Sequence, residues 1–222
     1  MDFYLITLKG MKKLLSDCSE ELNASYIADC IDKWNDNKDV DYFLKGFSEK
    51  GVFAGFSFAN TDFESEEKKF WVQQLFGGLV AMAMQLAKFR KQGRTVSIAF
   101  IRQNFGHRAE VIRGAECDDC KYRQINALDI DRYIVLPVVS TAIVNGLEND
   151  NLDTEIDKLI SLKSAHMRSE IDNAKLRASN TDITVVEGRQ PLYVCPRCGG
   201  KRIKSRRFLK SLKNNSFVAL SK

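Results

Sequence analysis

The sequence predicts an α+β protein in which a helical bundle is followed by short antiparallel strands. From Leu5 to Lys88 apolar residues recur at steps of three to five, as on one side of a helix, whereas beyond Gly93 they begin to alternate with small or polar residues. Two separated Cys-x-x-Cys pairs lie in the second part. We therefore expect one domain over residues 1–92 and another over residues 93–222.

The first domain is expected to be a bundle with its last helix at the centre. Leu14 to Ile31 predicts a helix pair, Tyr42 to Phe47 a short third segment, and Phe70 to Phe89 a closing helix with an apolar stripe. Helix packing explains that stripe better than a cofactor site does. Cys18 and Cys30 lie on apolar helix faces and are expected to be buried thiols.

Apolar positions and a glycine-containing turn characterise this half: Leu14, Leu15, Ala28, Ile31, Trp34, Phe43, Leu44, Gly51, Phe53, Phe56 and a closing helix from Phe70. On these residues it resembles a helical family of uncharacterised bacterial proteins, in which a helix pair is followed by a Gly-Phe-containing turn and a closing helix. The resemblance covers about a third of the chain. It implies a helical fold and no activity.

The segment after the bundle allows two interpretations. Alternation from Val96 to Phe100 predicts a strand, with Glu110 to Arg113 as its hairpin partner. The alternative is a helix-turn-helix with helices over 97–105 and 108–115 around Gly106. The alternation fits better, so we expect the strand.

The rest of the chain is predicted to mix strands and helices. Strands are expected over Tyr133–Leu136, Ile183–Val186, Leu192–Val194 and Lys201–Phe208. One helix is expected to start at Pro137. A charged amphipathic helix of about six turns is expected from Leu152 to Ile171.

The most specific motif is the pair Cys117-Asp-Asp-Cys120 and Cys195-Pro-Arg-Cys198. Two residues between cysteines allow a tight turn to aim both sulfurs at one ion, and two such turns give tetrahedral coordination with bonds of about 2.3 Å. Four thiolates leave no open position for water, so a catalytic ion is not expected.

Together these motifs resemble a zinc ribbon, in which two knuckles on neighbouring hairpins share one ion. The resemblance implies a structural Zn²⁺ with Cys117, Cys120, Cys195 and Cys198 as its ligands. Because 74 residues separate the knuckles, we expect a split ribbon with a helical insertion at about 126–181 and a basic C-terminal tail.

Other uses of the cysteines remain open at this point. An ion shared between two chains is the alternative to closure within one chain, and an iron site has the same ligands. Disulfides are disfavoured because nothing directs the chain to an oxidising compartment. A redox pair is disfavoured because the expected βαβ context is missing.

The net charge of +5 is unevenly distributed. It divides into −7 over residues 1–67, +7 over 68–123, −5 over 124–188 and +10 over 189–222, and each positive block contains one cysteine pair. If the pairs converge, their cations form one positive surface for nucleic acid or for an acidic protein surface. The candidate contacts are Arg102, Arg108, Arg113, Lys121, Arg123, Lys201, Arg202, Lys204, Arg206 and Arg207.

These observations favour a non-enzymatic regulatory or accessory protein that binds nucleic acid or a nucleic-acid-handling complex. Small zinc-ribbon proteins of this kind resemble transcription accessory factors, including those of bacteriophages. The alternative is a protein interaction module, such as an inhibitor or immunity-type protein. A third reading is a metal-dependent nuclease built on Asp182, Glu187 and Arg189, although arginine does not readily lose a proton. The two histidines, His107 and His166, stand in no catalytic motif.

Neither a targeting signal nor a membrane span is expected. The N-terminal apolar run is short and has an acid at position 2. The most apolar stretches, Leu75 to Ala87 and Ile134 to Val144, are shorter than the roughly 20 residues of a spanning helix. We therefore expect a cytoplasmic protein.

Overall fold

The computed structural model describes residues 2–58, 61–106, 111–179, 182–187, 192–210 and 217–219. The chain forms an α+β structure, as predicted, and divides into two compact units. Unit 1 contains Met1–Gly106 and Val135–Ala165, and unit 2 contains His107–Ile134 and His166–Lys222. The domain boundary expected between residues 92 and 93 stays a prediction.

Unit 1 is built from helices. They are α1 (Phe3–Asp17), α2 (Glu21–Asn37), α3 (Asp41–Gly46), α4 (Glu66–Lys91), α5 (Ile98–Asn104), the part of α6 (Ala127–Glu148) from Val135 onward, and α7 (Leu152–Ser161). Side chains cap several helix starts: Asp2 accepts a hydrogen bond from the Leu5 N–H, and Ser65 accepts one from the Lys68 N–H. The helices predicted for the bundle are confirmed.

The core of unit 1 is organised around α4. Its stripe of Trp71, Leu75 and Leu79 is fully buried, and the Trp71 indole N–H donates to the Leu159 carbonyl at 2.8 Å. Among the described residues α4 is the one helix with the length and hydropathy to cross a membrane, but 56% of its most apolar window is buried within the protein. Such burial is typical of a core helix.

The strand predicted from Val96 to Phe100 is wrong, because this segment begins α5. The Ser97 hydroxyl accepts a hydrogen bond from the Phe100 N–H at 3.1 Å and caps the helix. The buried residues, Ile101 and Phe105, are four positions apart. The first helix of the helix-turn-helix interpretation therefore fits, while its second is wrong because residues 111–117 form a strand.

The strand predicted from Tyr133 to Leu136 and the helix start at Pro137 are also wrong. Both segments lie inside α6, which contains Pro137. Its buried residues recur at steps of four and five, at Ile130, Val135, Val139 and Ile143. The long amphipathic helix is divided into α7 and α8 (Ser164–Ser179), because the backbone at Leu162 is extended.

Unit 2 contains a mixed sheet. Its strands are β1 (Val111–Cys117), β2 (Arg123–Asn126), β3 (Ile183–Val186), β4 (Ile203–Lys210) and β5 (Phe217–Ala219), in the order β3-β2-β1-β4-β5. The strands predicted near β3 and β4 are confirmed, whereas 192–194 lies outside any strand. The β1–β2, β1–β4 and β4–β5 pairs are antiparallel, as predicted, whereas β3 pairs parallel with β2 after a long helical crossover.

The pairing register separates two faces of this sheet. Ile112 lies opposite Phe208, and Ile125 lies on the same face; these residues form a core with helix residues Ile130, Ala174 and Ala178. The other face, which we call the open face, carries the exposed side chains of Arg113, Thr184, Ser205 and Arg207. Alternation along each strand thus gives a buried and a solvated side.

Phe208 is expected to be essential for the stability of unit 2. Its ring is fully buried on β4, so Phe208→Ala should lower the free energy of unfolding by about 3 to 5 kcal/mol through lost burial and the remaining cavity. Thermal or urea unfolding measures this change. The control Ser205→Ala, an exposed position on the same strand, should have almost no effect. Equal losses in the two variants would contradict the assigned faces.

Candidate metal centre

Two turns bring the four motif cysteines together. β1 ends at Cys117 and its turn leads into β2, while the turn from Cys195 to Gly200 precedes β4. The β1–β4 register places Cys117 opposite Ile203, so both turns lie at the same end of the ladder. The two Cys-x-x-Cys pairs therefore meet within one chain.

The sulfur atoms are arranged as ligands of one ion. All four Sγ atoms lie within 4.8 Å of one another, with 3.7 Å between Cys117 and Cys198 and 3.5 Å between Cys120 and Cys195. A tetrahedral site with bonds of about 2.3 Å has sulfur–sulfur edges of about 3.8 Å. These separations are far longer than a disulfide bond of about 2.05 Å, and all the cysteines are free thiols.

The two turns have the same backbone hydrogen bonds. The Cys117 N–H donates to the Tyr122 carbonyl at 2.8 Å, and the Cys195 N–H donates to the Gly200 carbonyl at 2.8 Å. The Lys121 N–H donates to the Cys117 carbonyl at 3.0 Å, and the Gly199 N–H donates to the Cys195 carbonyl at 2.9 Å. Lys121 and Gly199 both have left-handed backbones, with φ of 62° and 71°. The turns are therefore structural copies of one another.

The surroundings of the second pair of sulfurs shift the pKa values of Cys195 and Cys198 in opposite directions. Desolvation opposes ionisation of Cys195, but the backbone N–H groups of Arg197 and Cys198 donate to its sulfur and lower its pKa to about 7. The Gly200 N–H favours the Cys198 thiolate, yet the neighbouring cysteines raise the pKa of Cys198 to about 12. Four adjacent thiolates repel one another, and a bound metal ion removes that repulsion.

Acidic residues of the first turn fix the second turn beside it. Asp119 accepts a hydrogen bond from the Arg202 Nε at 2.7 Å, and Asp118 pairs with Lys204. The Asp118 N–H also donates to the Arg202 carbonyl at 2.9 Å. The Lys204 ammonium lowers the pKa of Asp118, which keeps this carboxylate ionised. The residues between Cys117 and Cys120 thus hold the sequence after Cys198 in place.

Glu116 forms a buried ionic cluster behind the centre. Its carboxylate is 1% exposed and accepts hydrogen bonds from Arg123 at 2.9 Å and from Arg206 at 3.0 Å, with Lys204 at 3.8 Å. Burial alone raises the pKa of Glu116, but the two arginine hydrogen bonds hold it below its ordinary value. Sequence analysis missed this residue, although it is one of the few acids in a basic block and directly precedes a ligand.

The structure sorts the predicted nucleic-acid contacts into several groups. Carboxylates pair with Arg123, Arg202, Lys204 and Arg206. Arg113, Lys201 and Arg207 are exposed and have no ion pair among the described residues, while Lys121 donates to the Asp118 carbonyl at 3.0 Å and lies 4.0 Å from the Asp118 carboxylate.

The remaining predicted residues lie elsewhere. Arg102 belongs to unit 1, where its guanidinium pairs with Glu148 at 3.2 Å, and Arg108 lies outside the described residues. Of the nuclease candidates, Asp182 and Glu187 are exposed and Arg189 is outside the described residues. His166 is exposed on α8 beside Glu170, and His107 is outside the described part of the chain.

No protein-family model, curated protein or solved structure matches the chain. The resemblances to a zinc ribbon and to a bacterial helical family therefore stay predictions. The geometry of the four sulfurs supports a metal site independently of any relative.

We expect the purified protein to hold one metal ion per chain. Cys120→Ser and Cys195→Ser should lose the ion, because each removes one of four ligands, and unfolding should occur at a lower temperature. Elemental analysis and thermal unfolding measure both effects. The control Cys30→Ala changes a buried thiol of α2, away from the motif, and should keep the ion. Full metal content in both serine variants would contradict the site.

Because the two cysteine turns have the same backbone conformation, the effect of a substitution at position 121 or 199 should depend on the side chain that it adds or removes. Gly199→Val places a β-branched side chain on a left-handed backbone and should cost about 1 to 2 kcal/mol. Lys121→Gly relieves the same strain in the first turn but increases the freedom of the unfolded chain, so its net effect should be below about 1 kcal/mol. Chemical unfolding of the metal-loaded protein compares them. A larger loss for Lys121→Gly than for Gly199→Val would contradict the equivalence of the turns.

Proposed function

We propose that the ion is a structural Zn²⁺ in a zinc-ribbon-like site. Soft thiolates and tetrahedral geometry suit zinc, and four protein ligands leave no open position for substrate. The ion would stabilise the end of the β1–β4 ladder, and free energies on the order of 10 kcal/mol are available from such sites. Iron with the same ligands would give a coloured protein, whereas zinc gives a colourless one.

We propose further that the protein is a non-enzymatic regulatory or accessory factor that binds nucleic acid through the open face. The observation that carries this proposal is the pairing of Arg113 directly opposite Arg207 on neighbouring strands. Both side chains are exposed, and neither has an ion pair among the described residues. Like charges in this arrangement destabilise a sheet. A phosphate backbone would relieve that repulsion and accept hydrogen bonds from both guanidinium groups.

The distribution of internal ion pairs supports the same face. The cations on the core side of β4, Lys204 and Arg206, are held by acids. Arg207 lies between Arg206 and the buried Phe208 but projects from the opposite side of the strand. The unneutralised charge is therefore concentrated on the solvated face of the sheet. Reduced thiolates at the metal site suit the cytoplasm.

An acidic protein surface is the second candidate partner. Tyr193 and Val194 directly precede Cys195 and are 77% and 48% exposed. Exposed aromatic side chains are also typical of protein interfaces. A protein interaction module with a purely structural ion would use these residues without binding nucleic acid.

The nucleic-acid proposal predicts salt-dependent binding that requires the arginine pair. The double variant Arg113→Ala/Arg207→Ala should bind a short DNA oligonucleotide more weakly, and the slope of log affinity against log salt should fall by about 2. Fluorescence anisotropy over a salt series measures both quantities. The control Lys9→Ala/Lys12→Ala removes two exposed cations from α1 of unit 1 and should bind normally.

Two results would overturn the proposal. The first is no binding of DNA or RNA by the metal-loaded chain at about 50 mM salt, where phosphate contacts are strong. The second is equal loss of affinity in the arginine and lysine double variants, which would indicate a net-charge effect without a specific face.

A further inference from the structure

A pocket of about 650 Å³ lies in unit 2 beside the first cysteine turn. Its volume is within the range of about 300 to 1,000 Å³ that is typical of small-molecule sites. Four segments of the unit supply its lining: the first cysteine turn with the start of β2, the second cysteine turn, the edge strand β3 with the residue before it, and the end of α8. The lining residues are Cys120, Lys121, Tyr122, Arg123, Ser179, Asp182, Ile183, Thr184, Val185 and Arg197.

The charged groups of this pocket favour an anion with a polar group beside it. Lys121, Arg123 and Arg197 supply three cations, and Asp182 supplies one carboxylate. Arg123 already donates through Nε to Glu116, and the Lys121 ammonium donates to the Asp118 carbonyl at 3.0 Å and lies 4.0 Å from the Asp118 carboxylate. Arg197 is exposed and has no ion pair among the described residues, so its guanidinium is free to take a phosphate.

The other walls suit a planar, partly apolar group. The half-buried Val185 contributes an aliphatic surface, whereas Ile183 is 4% exposed and belongs to the core, and the half-buried Tyr122 on the first turn supplies an aromatic side chain. Ser179 and Thr184 add hydroxyl groups that donate and accept hydrogen bonds. An aromatic ring for stacking, a free arginine for phosphate and hydroxyls for polar edges are the groups that bind a nucleotide.

The pocket shares one residue with the open face. Thr184 belongs both to the pocket lining and to the open face that carries Arg113 and Arg207. The route from β4 through β1 and β2 to β3 crosses three strand spacings, about 15 Å in total. A few nucleotides of a single strand span that distance.

We propose that this pocket holds one unpaired base and its adjoining phosphate from a single-stranded nucleic acid. The base stacks on the Tyr122 ring, and Arg197 binds the phosphate. Asp182 and the hydroxyls of Ser179 and Thr184 accept and donate hydrogen bonds at the base and sugar. A base in a duplex is stacked and paired, so it enters such a pocket only after leaving the helix. The inference rests on the proposed function and specifies its substrate as single-stranded.

The first test compares a 12-nucleotide single strand with a duplex of the same sequence and length. The full metal-loaded chain should bind the single strand at least tenfold more tightly. Tyr122→Ala should weaken single-strand binding by about tenfold, as expected for loss of one stacking platform, while Tyr122→Phe keeps the ring and the affinity. Arg197→Ala should weaken binding and reduce the salt slope by about 1.

Two controls separate a local effect from misfolding. Tyr193→Ala removes an exposed tyrosine that does not line the pocket and should bind normally. Metal content should equal that of the unmodified chain in every variant, because the Tyr122 substitution leaves the backbone bond from Cys117 intact. If Tyr122→Ala loses the metal ion, Arg197→Ala decides the test, because the Arg197 side chain is exposed and its removal should leave the fold intact.

The second test identifies the contact directly. A single strand that contains one 5-iodouracil is bound to the protein and the complex is irradiated. Mass spectrometry then identifies the crosslinked peptide. A crosslink at Tyr122 supports the pocket, and crosslinks confined to other residues overturn it. The pocket is also overturned if single strand and duplex bind with equal affinity. If Arg113→Ala/Arg207→Ala still weakens binding in that case, the nucleic-acid function stands. Absence of any binding overturns both proposals.

Discussion

Residues 111–117 of β1 pair one for one with residues 209–203 of β4, and this antiparallel register determines what unit 2 presents on each side. Side chains alternate along a strand, so a slip by one residue exchanges the two faces. In the observed register Ile112 and Phe208 enter the core, while Arg113 and Arg207 face solvent. The same register sets Cys117 opposite Ile203, which lets the second cysteine turn reach the first.

The ionic groups around the cysteines reinforce that register. Glu116 pairs across the strands with Lys204 and Arg206, and Asp118 and Asp119 hold Lys204 and Arg202. A shift of β4 against β1 would separate these charges and leave Glu116 buried without its cations, which is costly. The four clustered sulfurs, the carboxylates and the apolar core therefore all favour one alignment. Cations that serve this alignment are not free for a partner, which is why only part of the basic sequence remains available.

Sequence alone could identify the ligand set and the bundle, because both depend on local patterns. The Cys-x-x-Cys spacing determines the turn chemistry, and the stripe from Trp71 to Leu86 follows the helical period. The errors arose where a local pattern has two meanings. Ser97 is an N-cap that interrupts an alternating run, and Pro137 is a helix-interior residue although it is typical of a helix start.

Other features depend on contacts between distant parts of the chain. The role of Glu116 requires knowledge that Arg206 lies across the ladder, 90 residues away. The pairing of Arg113 with Arg207 similarly depends on register, which composition does not reveal. The parallel placement of β3 follows from the helical crossover between β2 and β3. The pocket joins residues from the two cysteine turns, β3 and α8, so no single segment predicts it.

The long separation of the cysteine pairs has a consequence for the order of events during synthesis. The first pair leaves the ribosome 75 residues before the second pair begins. At about 5 to 20 residues per second, that interval lasts roughly 4 to 15 seconds. Throughout it, Cys117 and Cys120 provide only two sulfurs, and β1 has yet to gain β4 as its partner. The nascent chain therefore passes through a stage in which only two of the four sulfurs are available to an ion and the first pair is not yet enclosed by the fold.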